Sequence, residues 1–240
     1  MPTVQVTILA AGLGTRLKRP MPKPLTPLDD GRTIIAQQID NIREVFGVDA
    51  QVVIVVGFKH ELIMEAVPEA LFAYNERYDE TNTCKSLLKA LRASADGPVI
   101  WMNGDVVFDP EVLRRLRTQL NEGRSAIAVN TAAVGEEEVK YTVSDDGTVR
   151  ELSKQVRDAL GEAVGINVIA AADKALLIAR LEECDDQDYF ERGLELAIQQ
   201  DGVKVAPVDI SDLFAVEVDF AEDLQRAIEA RRAHARDASG

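Results

Sequence analysis

Four short runs rich in β-branched residues, VQVTIL (4–9), QVVIVV (51–56), PVIWMN (98–103) and SAIAV (125–129), constrain the fold of this chain most, because each is followed by a stretch of helical spacing. The helical stretches run over about 33–46, 59–66, 84–94 and 110–120, with Pro110 placed to open the last. Strands alternating with helices of this length predict βαβ units, hence an α/β fold: a Rossmann-like mixed, mostly parallel sheet flanked by helices. The pattern changes at VKYTVSDDGTVREL (139–152), where two alternating segments flank Asp145, Asp146 and Gly147. That is the signature of a small antiparallel β-hairpin insertion, spanning about 136–160. A strand over 163–170, helices near 172–183 and 188–200, and strands near 203–208 and 214–218 follow. An amphipathic helix over about 220–235 closes the chain. No repeat, linker or low-complexity tract interrupts the pattern, so 1–240 reads as a single domain.

Length and charge narrow the function classes. The 240 residues are 46% hydrophobic, ample for a packed core, and carry 41 acidic against 27 basic side chains, a formal charge of −14. Such a surface repels nucleic acid and anionic membranes, so neither is expected as a partner. Cys84 and Cys184 lie far apart without CxxC spacing and read as free thiols of a cytoplasmic protein, with neither a zinc site nor a disulfide framework. No apolar stretch is long enough to span a bilayer.

Against that acidity, residues 9–25 (LAAGLGTRLKRPMPKPL) are conspicuous: Arg16, Lys18, Arg19 and Lys23 gather around Gly12 and Gly14, and no acid precedes Asp29. Strand 4–9 runs directly into the glycines, which let the backbone turn with its N–H groups facing a ligand, as in an anion nest. Pro20, Pro22, Pro24 and Pro27 keep a helix from starting at once, so the basic loop is expected to run extended across the ligand. A positive loop in a negative chain is matched to a polyanion such as a nucleotide triphosphate.

Two distant segments carry acids suited to the same ligand. Strand 98–103 ends in NGDVVFDP, placing Asp105 just past the carboxyl end of a central strand, where ligands bind in open α/β sheets. In FAVEVDFAEDLQRA, period two puts Glu217 and Asp219 on one face and Phe214, Val216 and Val218 on the other. Asp219 could equally cap the helix that follows.

Gly12, Gly14, Thr15 and Arg16, with Pro22, Lys23, Pro24 and Leu25, resemble the signature of the nucleotidyltransferases that make NDP-sugars and CDP-alcohols. NGD and EVDFAEDLQRA extend the resemblance in the expected order over most of the chain. It implies a fold of the nucleotide-diphospho-sugar transferase type. It also implies that Asp105 and Asp219 hold Mg²⁺ on the nucleotide, with Glu217 and Asp223 supporting, and that Arg16 and Lys23 act on the triphosphate. Leu9, Ala11, Gly12, Gly14, Thr15, Asn103 and Gly104 would complete the nucleotide-binding wall.

Between the loop and NGD, YNERYDETNTCKSLLKAL (74–91) is similar to a stretch of bacterial phosphocholine cytidylyltransferase-like enzymes, matched by Tyr74, Asn75, Tyr78, Thr81, Asn82, Ser86 and Leu87. By this resemblance Thr81, Asn82 and Ser86 face the base and sugar of CTP, while the same polar residues could instead cap the 84–94 helix. Thr83 and Lys85 depart from the family pattern. The hairpin resembles an acceptor lid, so Lys140, Lys154 and Glu162 are implied acceptor ligands, with Tyr189 among the aromatics that could face a cationic acceptor.

The resemblance implies transfer of CMP from CTP to a phosphocholine-like, aminoethylphosphonate-like, alditol or inositol phosphate acceptor, with release of pyrophosphate. Such acceptors are already anionic, so His60 and His234 need not act as bases. A sugar-1-phosphate nucleotidylyltransferase using UTP or dTTP shares the loop and NGD, and a non-catalytic nucleotide-sensing module remains the reading from another class.

Overall fold

A computed structural model of the chain describes residues 3–14, 20–132, 134–135 and 138–237. The first strand, β1 (Gln5–Ala10), is buried along its whole length. Val6, Ile8 and Ala10 enter one core cluster and Leu9 the other, as period two requires of a strand covered on both faces. Helix α1 (Ile34–Phe46) follows, its first turn capped by the Thr33 hydroxyl accepting from the Ala36 N–H at 3.3 Å. Next come β2 (Gln51–Val56), α2 (His60–Ala66), β3 (Leu71–Tyr74), α3 (Thr83–Ala93) and β4 (Val99–Asn103). β3, β2, β1 and β4 lie side by side and parallel, with Leu9 of β1 opposite both Val55 and Asn103.

The second half holds β5 (Val106–Phe108), α4 (Pro110–Asn121), β6 (Ser125–Asn130), the hairpin β7 (Lys140–Val143) and β8 (Val149–Ser153), and β9 (Gly161–Ile169). After these come α5 (Lys174–Glu183), α6 (Phe190–Asp201), β10 (Val205–Asp209), β11 (Ala215–Glu217) and α7 (Ala221–Asp237). β9 is inserted antiparallel between β4 and β6, giving the order β10-β6-β9-β4-β1-β2-β3. The sheet is mixed, mostly parallel and flanked by helices, and its hairpin attaches through β9. Among the described residues no helix is long and apolar enough to cross a membrane.

Three departures from the sequence reading have physical causes. β3 and β5 are too short, at four and three residues, to show a strand period. The proline-rich segment is not extended throughout: one 3₁₀ turn forms over Lys23–Leu25 because Leu25 and Thr26, which keep their N–H groups, donate to Pro22 and Lys23 at 2.9 Å each. Finally, between the pairs Asn167–Ile127 and Ala163–Val129 β9 places three residues (164–166) where β6 places one (128), a bulge that contains Gly165 at φ +71°. Gly165 lies so close to Asn103 that a Cβ there would come within 2.6 Å of the Asn103 amide nitrogen.

β5 and β11 form a separate two-stranded antiparallel ladder, with Glu217 opposite Val106 and Val216 opposite Val107. Just beyond the ladder Val218 N–H donates to the Asp105 carbonyl at 2.9 Å. Helix α1 fastens this piece: buried Gln38 donates to the carbonyls of Asn103 and Val106, at 2.9 and 2.8 Å, and Gln37 and Asn41 donate to that of Phe108, at 2.7 and 2.8 Å. The outer face of β11 packs Phe214, Val216 and Val218 against Leu28, Ile34 and Val107. Cys84 and Cys184, distant in sequence, are buried neighbours in the other main core cluster, and the Cys84 thiol is pushed far up by its hydrogen bond with Cys184 and by burial.

Candidate functional site

The carboxyl ends of β1 and β4 open into a cleft of about 290 Å³, the position expected of a ligand site in an open α/β sheet. Leu9, Gly12, Gly14, Asn103 and Gly104 form one wall. Gly104 N–H donates to the Leu9 carbonyl at 2.9 Å, and a Cβ at Gly104 would meet that same oxygen at 2.7 Å, so the two strand ends approach as closely as only glycine permits.

The floor of the cleft is a charge cluster. The β5–β11 register brings Asp105, Glu217 and Asp219 together, with one oxygen of each within 4.8 Å of the others. Lys23, held by the 3₁₀ turn, donates from Nζ to Asp105 Oδ2 at 2.7 Å and also to Asp219 Oδ1. Burial alone pulls the Lys23 ammonium towards its neutral form, but Asp105 and then Asp219 more than offset this and hold its pKa above the ordinary lysine range. Burial, with the charges of Asp105 and Asp219, pushes the Glu217 carboxyl well above the usual carboxylate range. Asp219 itself is set in place by Asp223, whose Oδ2 accepts from the backbone N–H groups of Asp219 and Phe220 at 3.0 and 2.7 Å. Three hard carboxylate donors within this span suit a divalent cation such as Mg²⁺.

The opposite wall comes from the hairpin and from the start of α6: Glu138, Val139, Lys154, Ala163, Tyr189 and Glu191. Lys154 Nζ lies 5.1 Å from the centroid of the Tyr189 ring. Burial, and then the charge of Glu162, push the Glu138 carboxyl upward. Phe190 anchors this wall, its ring packed edge-on against buried Trp101 at 5.7 Å, while its N–H donates to Thr83 Oγ1 at 3.1 Å.

Of the residues singled out from the sequence, Leu9, Gly12, Gly14, Lys23, Asn103 and Gly104 line the cleft, as do Asp105, Asp219, Lys154 and Tyr189. Thr15 and Arg16 lie outside the described residues. Six lie elsewhere. The Ala11 carbonyl accepts from Phe58 N–H at 3.1 Å behind the wall. Buried Asn75 donates to Thr81 Oγ1 and Ser86 Oγ, at 3.0 and 3.1 Å, tying the turn before α3 together. Asn82 is the N-cap of α3, and Thr83 beside it reaches the cleft. Lys140 pairs with Glu162 across β7 and β9, and Glu162 Oε2 accepts from Gly135 N–H at 2.9 Å. Neither His60 nor His234 lines the cleft.

The sequence reading missed Thr83, Glu138, Gly165 and Glu191. Glu138 and Glu191 sit beside segments already singled out, but an acid near a turn or in the first turn of a helix is ordinary on a protein surface, and nothing in its spacing marks it as buried.

Residues 6–187 match the family described as the MobA-like NTP transferase domain. A CMP-5'-(3-aminopropyl)phosphonate synthase of Streptomyces rubellomurinus is 31% identical over 246 residues, covering 93% of this chain and 38% of that protein. The chain thus spans well under two thirds of that relative's length, and about half that of several other curated relatives it matches. Among solved structures, the inositol-1-phosphate CTP transferase from T. maritima superposes with a TM-score of 0.75 at 17% identity, covering 95% of this chain and 97% of that one. The CTP:phosphocholine cytidylyltransferase from Streptococcus pneumoniae superposes with a TM-score of 0.70 at 19% identity, covering 95% and 98%.

Proposed function

The chain belongs to the MobA-like NTP transferase domain family, and on that premise we propose that it is a CTP-dependent cytidylyltransferase, joining CMP to a small phosphorylated alcohol or phosphonate and releasing pyrophosphate. The observation that carries the reading is the placement of Lys23 between Asp105 and Asp219 on the floor of a cleft walled by Gly12, Gly14 and Gly104. A pure binding site for nucleotide has no need of a buried cation braced by two carboxylates. The relative named for synthesis of CMP-5'-(3-aminopropyl)phosphonate supports a cytidylyl donor and a phosphonate-class acceptor.

In the proposed reaction an acceptor oxygen attacks the α-phosphorus of CTP in line. The new P–O bond forms as the bond to the β-phosphate oxygen breaks, and pyrophosphate carries away the electron pair. The acceptor phosphate or phosphonate is already anionic, so no strong base is required. The protein's work is to bring two polyanions together and to neutralise charge in the transition state. Lys23 would turn from the carboxylates to the α-phosphate, and Arg16 would hold the β- and γ-phosphates. Gly12, Gly14, Thr15, Leu9, Asn103 and Gly104 would shape the nucleotide wall. Thr81, Asn82 and Ser86 would act on base and sugar through the turn they build, with Ala11 behind it. Asp105 and Asp219, with Glu217 alongside, would hold Mg²⁺, which when bound supplies charge neutralisation on the phosphates. Lys154 and Tyr189 would meet the acceptor, with Lys140 and Glu162 holding the hairpin over it.

The test is pyrophosphate release measured with CTP, UTP, dTTP and ATP, each against a panel of phosphoalcohols, phosphonates and sugar 1-phosphates. Release with CTP and a phosphoalcohol or phosphonate is expected. Preference for UTP or dTTP with a sugar 1-phosphate overturns the cytidylyl reading, and no release with any pair leaves a nucleotide sensor.

A further inference from the structure

Among the described residues of the acceptor wall, Glu191 carries a buried side-chain oxygen that the protein leaves without a partner. It lines the cleft from the first turn of α6, yet the residue is only 8% exposed. Its Oε2 has no hydrogen-bond partner among the described residues. A carboxylate at a helix N-terminus is ordinarily solvated, and its own backbone N–H satisfies only part of its accepting capacity. A desolvated carboxylate oxygen left without a partner, on a residue that lines the cleft, is costly to keep unless a ligand completes it. The position is also rigidly held: Phe190 before it is packed on Trp101 and tied through its N–H to Thr83.

What the ligand must bring follows from the surroundings. An ammonium already rests against this wall, since Lys154 lies over the Tyr189 ring at 5.1 Å, so the wall tolerates positive charge. Among the described residues lining the cleft, Tyr189 is the aromatic with its ring to offer, for Phe190 spends its ring on Trp101. One ring is no cage for a quaternary ammonium, which has no N–H to give. The orphaned oxygen, by contrast, calls for a hydrogen-bond donor carrying a compensating charge.

Resting on the cytidylyltransferase reading, we propose that Glu191 is a specificity-determining residue that binds an N–H-bearing ammonium on the acceptor, so that the acceptor is an aminoalkyl phosphonate or phosphate and not a trimethylammonium or uncharged one. The acceptor then spans the cleft as a zwitterion, its anionic end towards Lys23 and its ammonium on the Glu191 carboxylate, whose side chain turns to bring Oε2 to it. Both ends line one cavity of about 290 Å³, which limits the linker to a short chain.

The experiment compares kcat/KM for three acceptors differing only at the amine: 2-aminoethylphosphonate, its N,N,N-trimethyl analogue and ethylphosphonate, and repeats the series with the corresponding phosphate esters. The wild-type protein is expected to prefer the primary amine by on the order of 10²-fold over ethylphosphonate, as for a buried charge-assisted hydrogen bond, with the trimethyl analogue well below the primary amine. Glu191→Gln should collapse that preference to within a few-fold, mainly through the acceptor KM, while the KM for CTP stays near wild type. Equal use of all three acceptors by the wild-type protein, which needs no variant to observe, overturns the role of Glu191 while leaving the cytidylyltransferase reading intact. So does a preference that survives in Glu191→Gln. Absence of pyrophosphate release from CTP with every acceptor overturns the reading itself, and the inference with it.

Discussion

Lys23 Nζ donates a hydrogen bond of 2.7 Å to Asp105 Oδ2 although the two residues are 82 positions apart, and the same ammonium reaches Asp219. One cation therefore braces two carboxylates delivered by different strands. With Glu217 beside them, the acids would otherwise repel one another in a half-buried setting.

Replacing Lys23 removes both of its roles. Lys23→Ala is expected to lower turnover by on the order of 10²-fold or more, the usual cost of deleting a preorganised charge. It should also lower the thermal midpoint of the protein measured without divalent cations, and Mg²⁺ should recover more of that loss in the variant than it adds to wild type. Lys23→Arg is not expected to rescue turnover, because a planar fork cannot take the place of a point charge in a slot where the lysine side chain is 13% exposed. Turnover near wild type in Lys23→Ala excludes the assignment.

The carboxylates separate in a Mg²⁺ titration. Asp105→Asn and Asp219→Asn should each raise the Mg²⁺ concentration at half-maximal activity by an order of magnitude or more, by losing a hard charged donor. Glu217→Gln should shift it less, and should raise the stability of the divalent-free protein by relieving like-charge crowding. An unchanged midpoint in either aspartate variant removes that residue from the metal site.

The fold was legible because β1, β2, β4 and β6 are long enough to carry a period and their helices carry caps, and because Asp145, Asp146 and Gly147 announce a hairpin. The floor of the site was legible too, Lys23 from its basic loop in an acidic chain and Asp105 and Asp219 through the resemblance carried by NGD and EVDFAEDLQRA. What joins them was not. The β5–β11 ladder consists of two three-residue strands whose pairing is decided by Gln37, Gln38 and Asn41 of α1 binding the backbone of the 103–108 segment. Polar residues on a helix face read as solvent-facing, and only the tertiary fold makes them clamps. Asn82 shows the converse: a polar residue in a recognisable stretch was assigned to the ligand by resemblance, while its side chain accepts from the Thr83 N–H at 2.8 Å as a helix cap. Glu191 escaped notice because burial of a first-turn acid depends on how α6 meets α3 and β4, which no local pattern encodes.

Gly165 tests the fit between the β9 bulge and the nucleotide wall. Its φ of +71° and the close approach to Asn103 Nδ2 leave no room for a side chain. Gly165→Ala is expected to cost about 1–3 kcal/mol in denaturant unfolding, from backbone strain and the displaced amide. Because Asn103 lines the cleft, CTP affinity should fall as well. Gly47, with φ +84° but open space around it, is the control: Gly47→Ala should cost stability without affecting CTP.

Glu191 also makes a prediction without substrate. Burial raises its pKa from the usual 4.5 to about 7, its own backbone N–H and the charge of Lys154 opposing only in part. A carboxyl whose folded-state pKa is raised binds its proton more tightly in the native protein than in the unfolded chain. Its contribution to stability is then fully present below about 4.5 and is lost as pH rises through about 7. Ionisation of Glu191 should therefore cost the ligand-free protein at most roughly 3 kcal/mol at pH 8. Glu191→Gln cannot ionise, so its unfolding free energy should exceed that of wild type at pH 8, the two curves closing as the pH is lowered to 5. The same substitution is expected to lose the preference for an amine-bearing acceptor, so the variant would be the more stable protein and the less discriminating one. Denaturant unfolding of both proteins at pH 5, 6, 7 and 8 reads this directly, and parallel curves across that range would show that Glu191 is solvated and ionised throughout.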